Sequence, residues 1–266
     1  MNEELKVFLQ ESGLCNGQHI LVHSSYRNIR KGFPGISIKE YINTLQKIIT
    51  PAGSVLMPAF TYCFKRDGFD YNFFDKSLSP SKTGAVSEVF RTTRGVARTS
   101  SATHSFAIWG KLKRKIKLFD YPESPLGNGS LMELLAKTEN SFVLMAGTDF
   151  SSFTFGHYLE VIAKVPWYDF SPWEYLSVLP VGVSLEGEQR LKEIPGCSRK
   201  FVNFEKYLEL HNLLQRHKKN EFVLTLIPIR LLLQYGIGYF SDNYDSLLCP
   251  IGRCKACDSR HKKFDI

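Results

Sequence analysis

The strongest constraint on the fold of this chain is an alternation. Short apolar runs bounded by turn residues occur at His19–His23 (HILVH), Ser54–Phe60 (SVLMPAF), Ser105–Trp109 (SFAIW) and Ser141–Ala146 (SFVLMA). Their length and boundaries are those of buried strands. Between the first two, Ile38, Tyr41, Ile42, Leu45, Ile48 and Ile49 recur at helical spacing and form one apolar stripe. That is a βαβ unit. Further helices are predicted over Thr83–Arg94, Ser130–Thr138, Phe155–Val165 and Phe204–His217, with Ser130 and Glu133 spaced as a capping box. Such alternation predicts an α/β sheet covered by helices on both faces, with sites gathered where strands end and helices begin.

A single compact domain over residues 1–266 is expected, and 43% hydrophobic with 13% aromatic residues is enough for its core. The Pro/Gly-bearing stretch 166–196 is either a flap or insertion over the site or a plain surface excursion. Residues 249–266 form a Cys-rich basic tail. The most apolar window, Phe222–Phe240, is interrupted by Pro228, Arg230 and Gln234, which reads as buried core and not as a membrane span. MNEELKVFLQESG carries no export-signal pattern, so a cytoplasmic location is expected. The net charge of +8 suits a polyanionic partner such as a nucleotide cofactor, a nucleic acid or an acidic sugar, or an ordinary basic surface.

Five segments carry residues capable of chemistry. VHSSYRNIRKG offers His23, Ser24, Ser25, Tyr26 and Arg27 just after a strand, where hydroxyls and free amides can hold phosphate or merely cap the next helix. RTSSATHSFAIWG presents Thr103 and Ser105 as hydrogen-bonding groups and His104 as a group that can move a proton near neutral pH; a structural histidine beside a strand is the alternative. In GTDFSSFTFGHYLEVIAK, His157 and Glu160 stand at i,i+3, so they meet on one helix face. A carboxylate that orients an imidazole prepares a general base, although Lys164 continues the polar stripe as a solvated face would. A di-iron site would need two helical copies of Glu-x-x-His, which the sequence does not supply. Cys63 ends a strand; paired with His104 or His157 it would make an acyl-transfer dyad with a covalent intermediate, but no sequence feature indicates a lowered thiol pKa, and a buried inert thiol is the default reading. In the tail, Cys249, Cys254, Cys257 and His261 supply four zinc-type ligands, with reduced thiols as the alternative. The basic run Lys111–Lys117 lacks the interleaved aromatics of a nucleic-acid surface.

Five collinear segments between about residues 18 and 165, ILVHSSYRNI, AGSVLMPAFTY, SPSKTGAVSEVFRTTRGVARTSSATHSFAIWGK, SPLGNGSLMELL and FVLMAGTDFSSFTFGHYLE, resemble the aminoglycoside N3-acetyltransferase family. The last hundred residues match only through FVNFEKYLE and YFSDNYDSLL. The resemblance implies acetyl-CoA or another acyl-CoA as co-substrate and an amino sugar as acceptor. It implies a coenzyme A site from His23, Ser24, Ser25, Tyr26, Arg27, Thr103, Ser105 and Phe106, with His157 as general base, Glu160 orienting it and His104 as a second catalytic candidate. Where the family commonly reads RSxHPTHSF, this chain has Ser101 and Ala102, which points to a loosened or reshaped loop.

If HSS follows its strand and THS precedes its own, and both touch one ligand, those two strands must be antiparallel. The sheet is therefore expected to be mixed. Polycationic aminoglycosides favour an acidic cleft, and the +8 charge directs the reading toward an N-acyltransferase for a nucleotide-linked or otherwise anionic amino sugar in surface-polysaccharide or sugar metabolism. The alternatives are an aminoglycoside 3-N-acetyltransferase conferring antibiotic resistance and, from another class, a non-catalytic coenzyme A fold or nucleic-acid binder. Small-molecule partners, no nucleic acid and no membrane span are expected, and a homo-oligomer is compatible with the sequence. Zinc is the one candidate metal.

Overall fold

The computed structural model describes residues 2–66, 68, 72–169, 177–193 and 195–265. After α1 (Glu3–Glu11), capped by the Asn2 side chain, come β1 (His19–Ser24), α2 (Tyr26–Gly32), α3 (Ile38–Ile49), β2 (Ser54–Pro58) and β3 (Phe64–Arg66). The middle of the chain holds α4 (Ala85–Arg91), β4 (Ala97–Arg98), β5 (Phe106–Gly110), α5 (Leu131–Ala136), β6 (Ser141–Ala146) and α6 (Phe155–Ile162). The remainder contains β7 (Val178–Ser184), β8 (Gly187–Arg190), α7 (Val202–Leu210), β9 (Arg216–Lys219), β10 (Phe222–Pro228), α8 (Ile229–Asp242) and α9 (Lys255–Phe264).

Seven strands form the main sheet in the order β4-β5-β2-β1-β6-β10-β9. Strands β2 and β6 flank β1 in parallel, while β5 and β10 run antiparallel to their neighbours β2 and β6. The sheet is mixed, and β5 opposes β1 as the shared-site argument requires. Strand side chains alternate between faces, and the two cores follow that alternation. Ile20, Val22, Val55, Met57 and Leu144 pack with α3 residues Tyr41, Ile42, Leu45 and Ile49 on one side. Leu21, Leu56, Val143 and Met145 pack with Phe155, Leu159, Phe204 and Leu232 of α6, α7 and α8 on the other.

Helix α3 begins with a capping box not anticipated from sequence: the Ser37 side chain accepts from Glu40 N–H, and Glu40 accepts from Ser37 N–H. The expected box at α5 is altered. Ser130 caps Met132 N–H, but the Glu133 carboxylate accepts from Gly129 N–H and is drawn away by Lys137.

Two longer predictions divide. The helix expected over Phe204–His217 ends at Leu210, and Arg216–Lys219 becomes β9, because its ladder with β10 satisfies the sheet edge. The apolar window Phe222–Phe240 splits at Pro228 into a strand and a helix, since proline lacks the N–H that would continue either ladder. No helix among the described residues is long and apolar enough to cross a membrane.

Within the expected flap 166–196, residues 170–176 and 194 lie outside the described residues. Its other residues include β7 and β8, which join β3 in a second, antiparallel sheet of order β3-β7-β8. This small sheet abuts the opening of the site.

Candidate active site

The carboxyl ends of β1 and β2, the segment entering β5 and the first turn of α6 converge on one cavity of about 630 Å³. Its wall includes His23 and Ser24 from β1, Phe60 and Tyr62 after β2, His104 before β5, Ser151, Ser152, Thr154 and His157 around the start of α6, and Arg66, Val178, Pro195 and Gly196 from the small sheet and its flank. Strand ends open here because the chain must leave the sheet, freeing side chains and backbone amides for a ligand.

The centre of the site is a buried carboxylate with three partners. Glu160 Oε2 lies 2.7 Å from His157 Nδ1, and Glu160 Oε1 accepts from Trp167 Nε1 at 2.7 Å and from Arg260 Nη1 at 3.4 Å. Burial alone would raise the Glu160 carboxyl, but the Arg260 charge, the His157 imidazole and the hydrogen bonds from His157 and Trp167 outweigh it and hold the group below its ordinary value. An ionised carboxylate only accepts hydrogen bonds, so His157 Nδ1 carries the hydrogen, and the acceptor nitrogen of the neutral imidazole is Nε2. The Phe201 ring meets the imidazole edge-on at 5.0 Å. It reaches that position because residue 156 is glycine: a Cβ there would lie 2.5 Å from the Phe201 ring.

His104 is also on the cavity wall, but its environment suits a different task. Phe60 and Tyr62 surround its ring at 4.8 and 5.6 Å, and Thr103 Oγ1 meets its Nδ1 at 3.0 Å. Burial, with a smaller push from His157, lowers His104 to about 3. It is neutral at physiological pH and a weak base. His23 is likewise pushed down to about 3 by burial, and its Nε2 has no hydrogen-bond partner among the described residues. A buried donor or acceptor left unpaired is costly. His23 therefore offers a group for a ligand to satisfy.

Several residues expected to touch coenzyme A do not reach the cavity. Ser105 Oγ donates to Ala59 O at 2.7 Å and accepts from Arg98 Nε at 3.0 Å, so its hydroxyl is used in holding β5 to β2. Phe106 is buried against Phe60, and Thr103 stands behind His104. Tyr26 donates its hydroxyl to Ile36 O, and Arg27 is exposed outside the lining. Ser25 caps α2 through its backbone, with its N–H bonded to Ala146 O. Cys63 is buried, its thiol is pushed up mainly by burial, and it does not line the cavity.

The segment that carries Ser101 and Ala102 is tied down by side-chain hydrogen bonds. The Gln189 side chain accepts from Ala102 N–H and donates to Ser100 O, both at 2.8 Å, tying the segment to β8. Gly182 on β7 would place a Cβ 3.2 Å from that of Ala102, so only small residues fit at this crossing.

Sequence reasoning missed Lys82, Thr83 and Arg66 on the wall, and Trp167 and Arg260 behind Glu160. The hydroxyls of Ser151 and Ser152 were visible beside GHYLE. Nothing local marks Arg260, which lies a hundred residues from its partner.

In the tail, Cys249, Cys254 and Cys257 do meet, but the fourth member is Cys197. His261 Nε2 lies 2.9 Å from the Cys249 carbonyl oxygen. That contact requires Nε2–H as donor, which withdraws this nitrogen from metal ligation.

The architecture is that of known acetyltransferases. The chain superposes on the crystal structure of aminoglycoside acetyltransferase AAC(3)-IVa, apoenzyme, with a TM-score of 0.79 at 23% identity, covering 98% of this chain and 97% of that one. A structure of AAC-IIIb described as binary with CoASH matches with a TM-score of 0.70 at 18% identity, covering 91% and 96%. In sequence, the chain is 28% identical over 229 residues to the SPbeta prophage-derived aminoglycoside N(3')-acetyltransferase-like protein YokD of Bacillus subtilis (strain 168), covering 72% of this chain and 81% of that protein. The family model for aminoglycoside 3-N-acetyltransferase matches residues 21–241. The chain belongs to the aminoglycoside 3-N-acetyltransferase family, and its reaction class is acetyl-CoA-dependent N-acetyl transfer.

Proposed function

We propose that this chain acetylates an amine of an aminoglycoside, with His157 as the general base. The buried Trp167–Glu160–His157 relay, opening on a cavity at the strand ends, is the observation that carries this reading. The names of its relatives favour an aminoglycoside acceptor over the polysaccharide amino sugar suggested by net charge. Net charge is also a poor guide to one cleft, because a site's potential depends on the charges that line it.

The cavity has room and chemistry for the acyl donor: a volume of about 630 Å³, the cations Arg66 and Lys82 on its wall, and the unpaired His23 Nε2. Arg66 and Lys82 would meet the phosphates, while Ser24, Ser151 and Ser152 would hydrogen-bond the amide-bearing arm. Bound acetyl-CoA supplies an activated thioester. As the acceptor amine attacks the thioester carbonyl, His157 Nε2 takes its proton and Glu160 stabilises the imidazolium formed; the C–S bond then breaks, and the coenzyme A thiolate leaves with the proton that the imidazolium returns. With Thr103 donating to Nδ1, neutral His104 presents Nε2–H as a hydrogen-bond donor for charge developing on the carbonyl oxygen. Nothing in this scheme uses a nucleophile of the protein. Dependence on acetyl-CoA suits work in the cytoplasm.

Arg66 and Lys82 also favour a second acceptor class, an anionic or nucleotide-linked amino sugar. Thiol release from acetyl-CoA, followed with a panel of aminoglycosides and a panel of nucleotide-linked amino sugars, separates the two. Turnover with the first panel and an acetylated product by mass spectrometry is expected; turnover confined to the second would reverse the assignment.

A further inference from the structure

Four thiols from two distant parts of the chain converge beside the site. Cys197 lies in the segment leading to the 3-10 turn Arg199–Phe201, Cys249 follows the 3-10 turn Tyr244–Leu247, Cys254 is the N-cap of α9, and Cys257 is in its first turn. Their four sulphur atoms all lie within 4.8 Å of one another, and those of Cys197 and Cys249 are 3.8 Å apart. A tetrahedron with Zn–S bonds of about 2.3 Å has sulphurs about 3.8 Å apart. The spacing therefore fits one shared ion.

The surroundings fit as well. Cys257 and Cys249 are buried while Cys197 and Cys254 are partly exposed, giving a closed site at the edge of the core. Arg199 N–H points at Cys197 Sγ at 3.5 Å, the kind of backbone donor that steadies a metal-bound thiolate. His261 fixes the Cys249 carbonyl, and Asp258 accepts from Gly252 N–H, closing the loop between the two halves of the cluster.

We propose that Cys197, Cys249, Cys254 and Cys257 form a structural zinc site that clamps α9 to the 195–199 segment at the cavity rim. Its place in the fold gives the clamp a purpose. Arg260, one helical step beyond Cys257, inserts its guanidinium against residue 196, stacks over Trp167 at 5.1 Å and reaches Glu160. A Cβ on Gly196 would come 2.4 Å from Arg260 Nη2. Helix α9 offers little apolar surface of its own, and Ala256, Cys257 and Arg260 are its buried residues. Four metal–thiolate bonds would hold it where hydrophobic packing is thin.

The test is metal analysis of the full-length chain purified under reducing conditions without chelator. About one zinc per chain is expected by elemental analysis. The Cys254→Ser and Cys197→Ser variants should lose it about tenfold or more, whereas His261→Gln should retain it. If the serine variants fail to fold, cobalt added to the reduced wild-type protein provides a second readout, a thiolate-to-cobalt charge-transfer band with tetrahedral d–d transitions. Zinc below about a tenth of an equivalent together with no cobalt–thiolate spectrum would overturn the proposal. So would intact-mass evidence for two disulfides among these cysteines, or zinc retention that depends on His261 and not on Cys197.

Discussion

Glu160 turns one oxygen to His157 and the other to Trp167, both at 2.7 Å, so a single buried carboxylate fixes a histidine tautomer and an indole at once. Replacing His157 by Ala removes the base and should lower kcat about 10²- to 10⁴-fold. Glu160→Gln, which keeps the shape but permits the wrong tautomer, should cost at least about tenfold. The KM for acetyl-CoA should move much less in both variants. Steady-state kinetics on each, with circular dichroism to confirm folding, checks the assignment; near-wild-type kcat in His157→Ala would remove His157 as base.

Arg260→Met should leave Glu160 with its histidine and indole but without a balancing charge. Truncating one member of a buried ion pair costs about 3–5 kcal/mol, and the 3.4 Å separation here argues for the lower part of that range. Gly196→Ala should destabilise by displacing the same guanidinium. Urea unfolding of both variants and of the double variant measures this. Effects that add fully would show that the two residues do not act through one contact.

Acid should weaken the fold through His23 and His104. Both are held at about 3 in the folded state against about 6.5 when unfolded. Between these values the unfolded chain binds more protons, so stability present above pH 6.5 is lost as pH falls toward 3. Two such groups give a slope of up to about 2.7 kcal/mol per pH unit. Denaturant midpoints at pH 5 and 7 should differ strongly for wild type and less for His23→Asn and His104→Asn.

Glu193 should work in the opposite sense. Burial raises its carboxyl to about 7 despite the Ser124 hydrogen bond. The folded state then binds the extra proton, and the stability this gives is fully present below about pH 4.5 and lost as pH rises through 7. Glu193→Gln should raise the melting temperature at pH 8 and change it little at pH 5. A thermal melt series across that window is sufficient, and equal shifts at both pH values would count against burial as the cause.

Cys63→Ala should retain kcat within about twofold. The wild-type protein incubated with acetyl-CoA alone should show no acetyl adduct by intact mass, and the kinetics should be of the ternary-complex type. A stable adduct on Cys63 would require a different mechanism.

The sheet was legible because its signal is local. Ile20, Leu21 and Val22, and the stripe from Ile38 to Ile49, declare a strand and a helix without reference to anything distant. The His157–Glu160 pair was legible for the same reason, since three residues of helix bring the two together. The mixed direction of the strands followed from asking HSS and THS to share one ligand, and β5 does oppose β1.

What the chain did not declare was burial. Ser105 and Thr103 were marked by their hydroxyls, but whether a hydroxyl faces a cavity or a neighbouring strand depends on what packs above it; Ala59 and Arg98 take Ser105. Long-range partners were equally silent. Arg260 reaches Glu160 across a hundred residues, and Cys197 replaces His261 in the tail cluster because the chain folds the 195–199 segment onto α9. Periodicity and spacing encode contacts within a turn or two of chain. The carboxylate's charge partner and the fourth thiol depend on loop closures that only the packed fold determines.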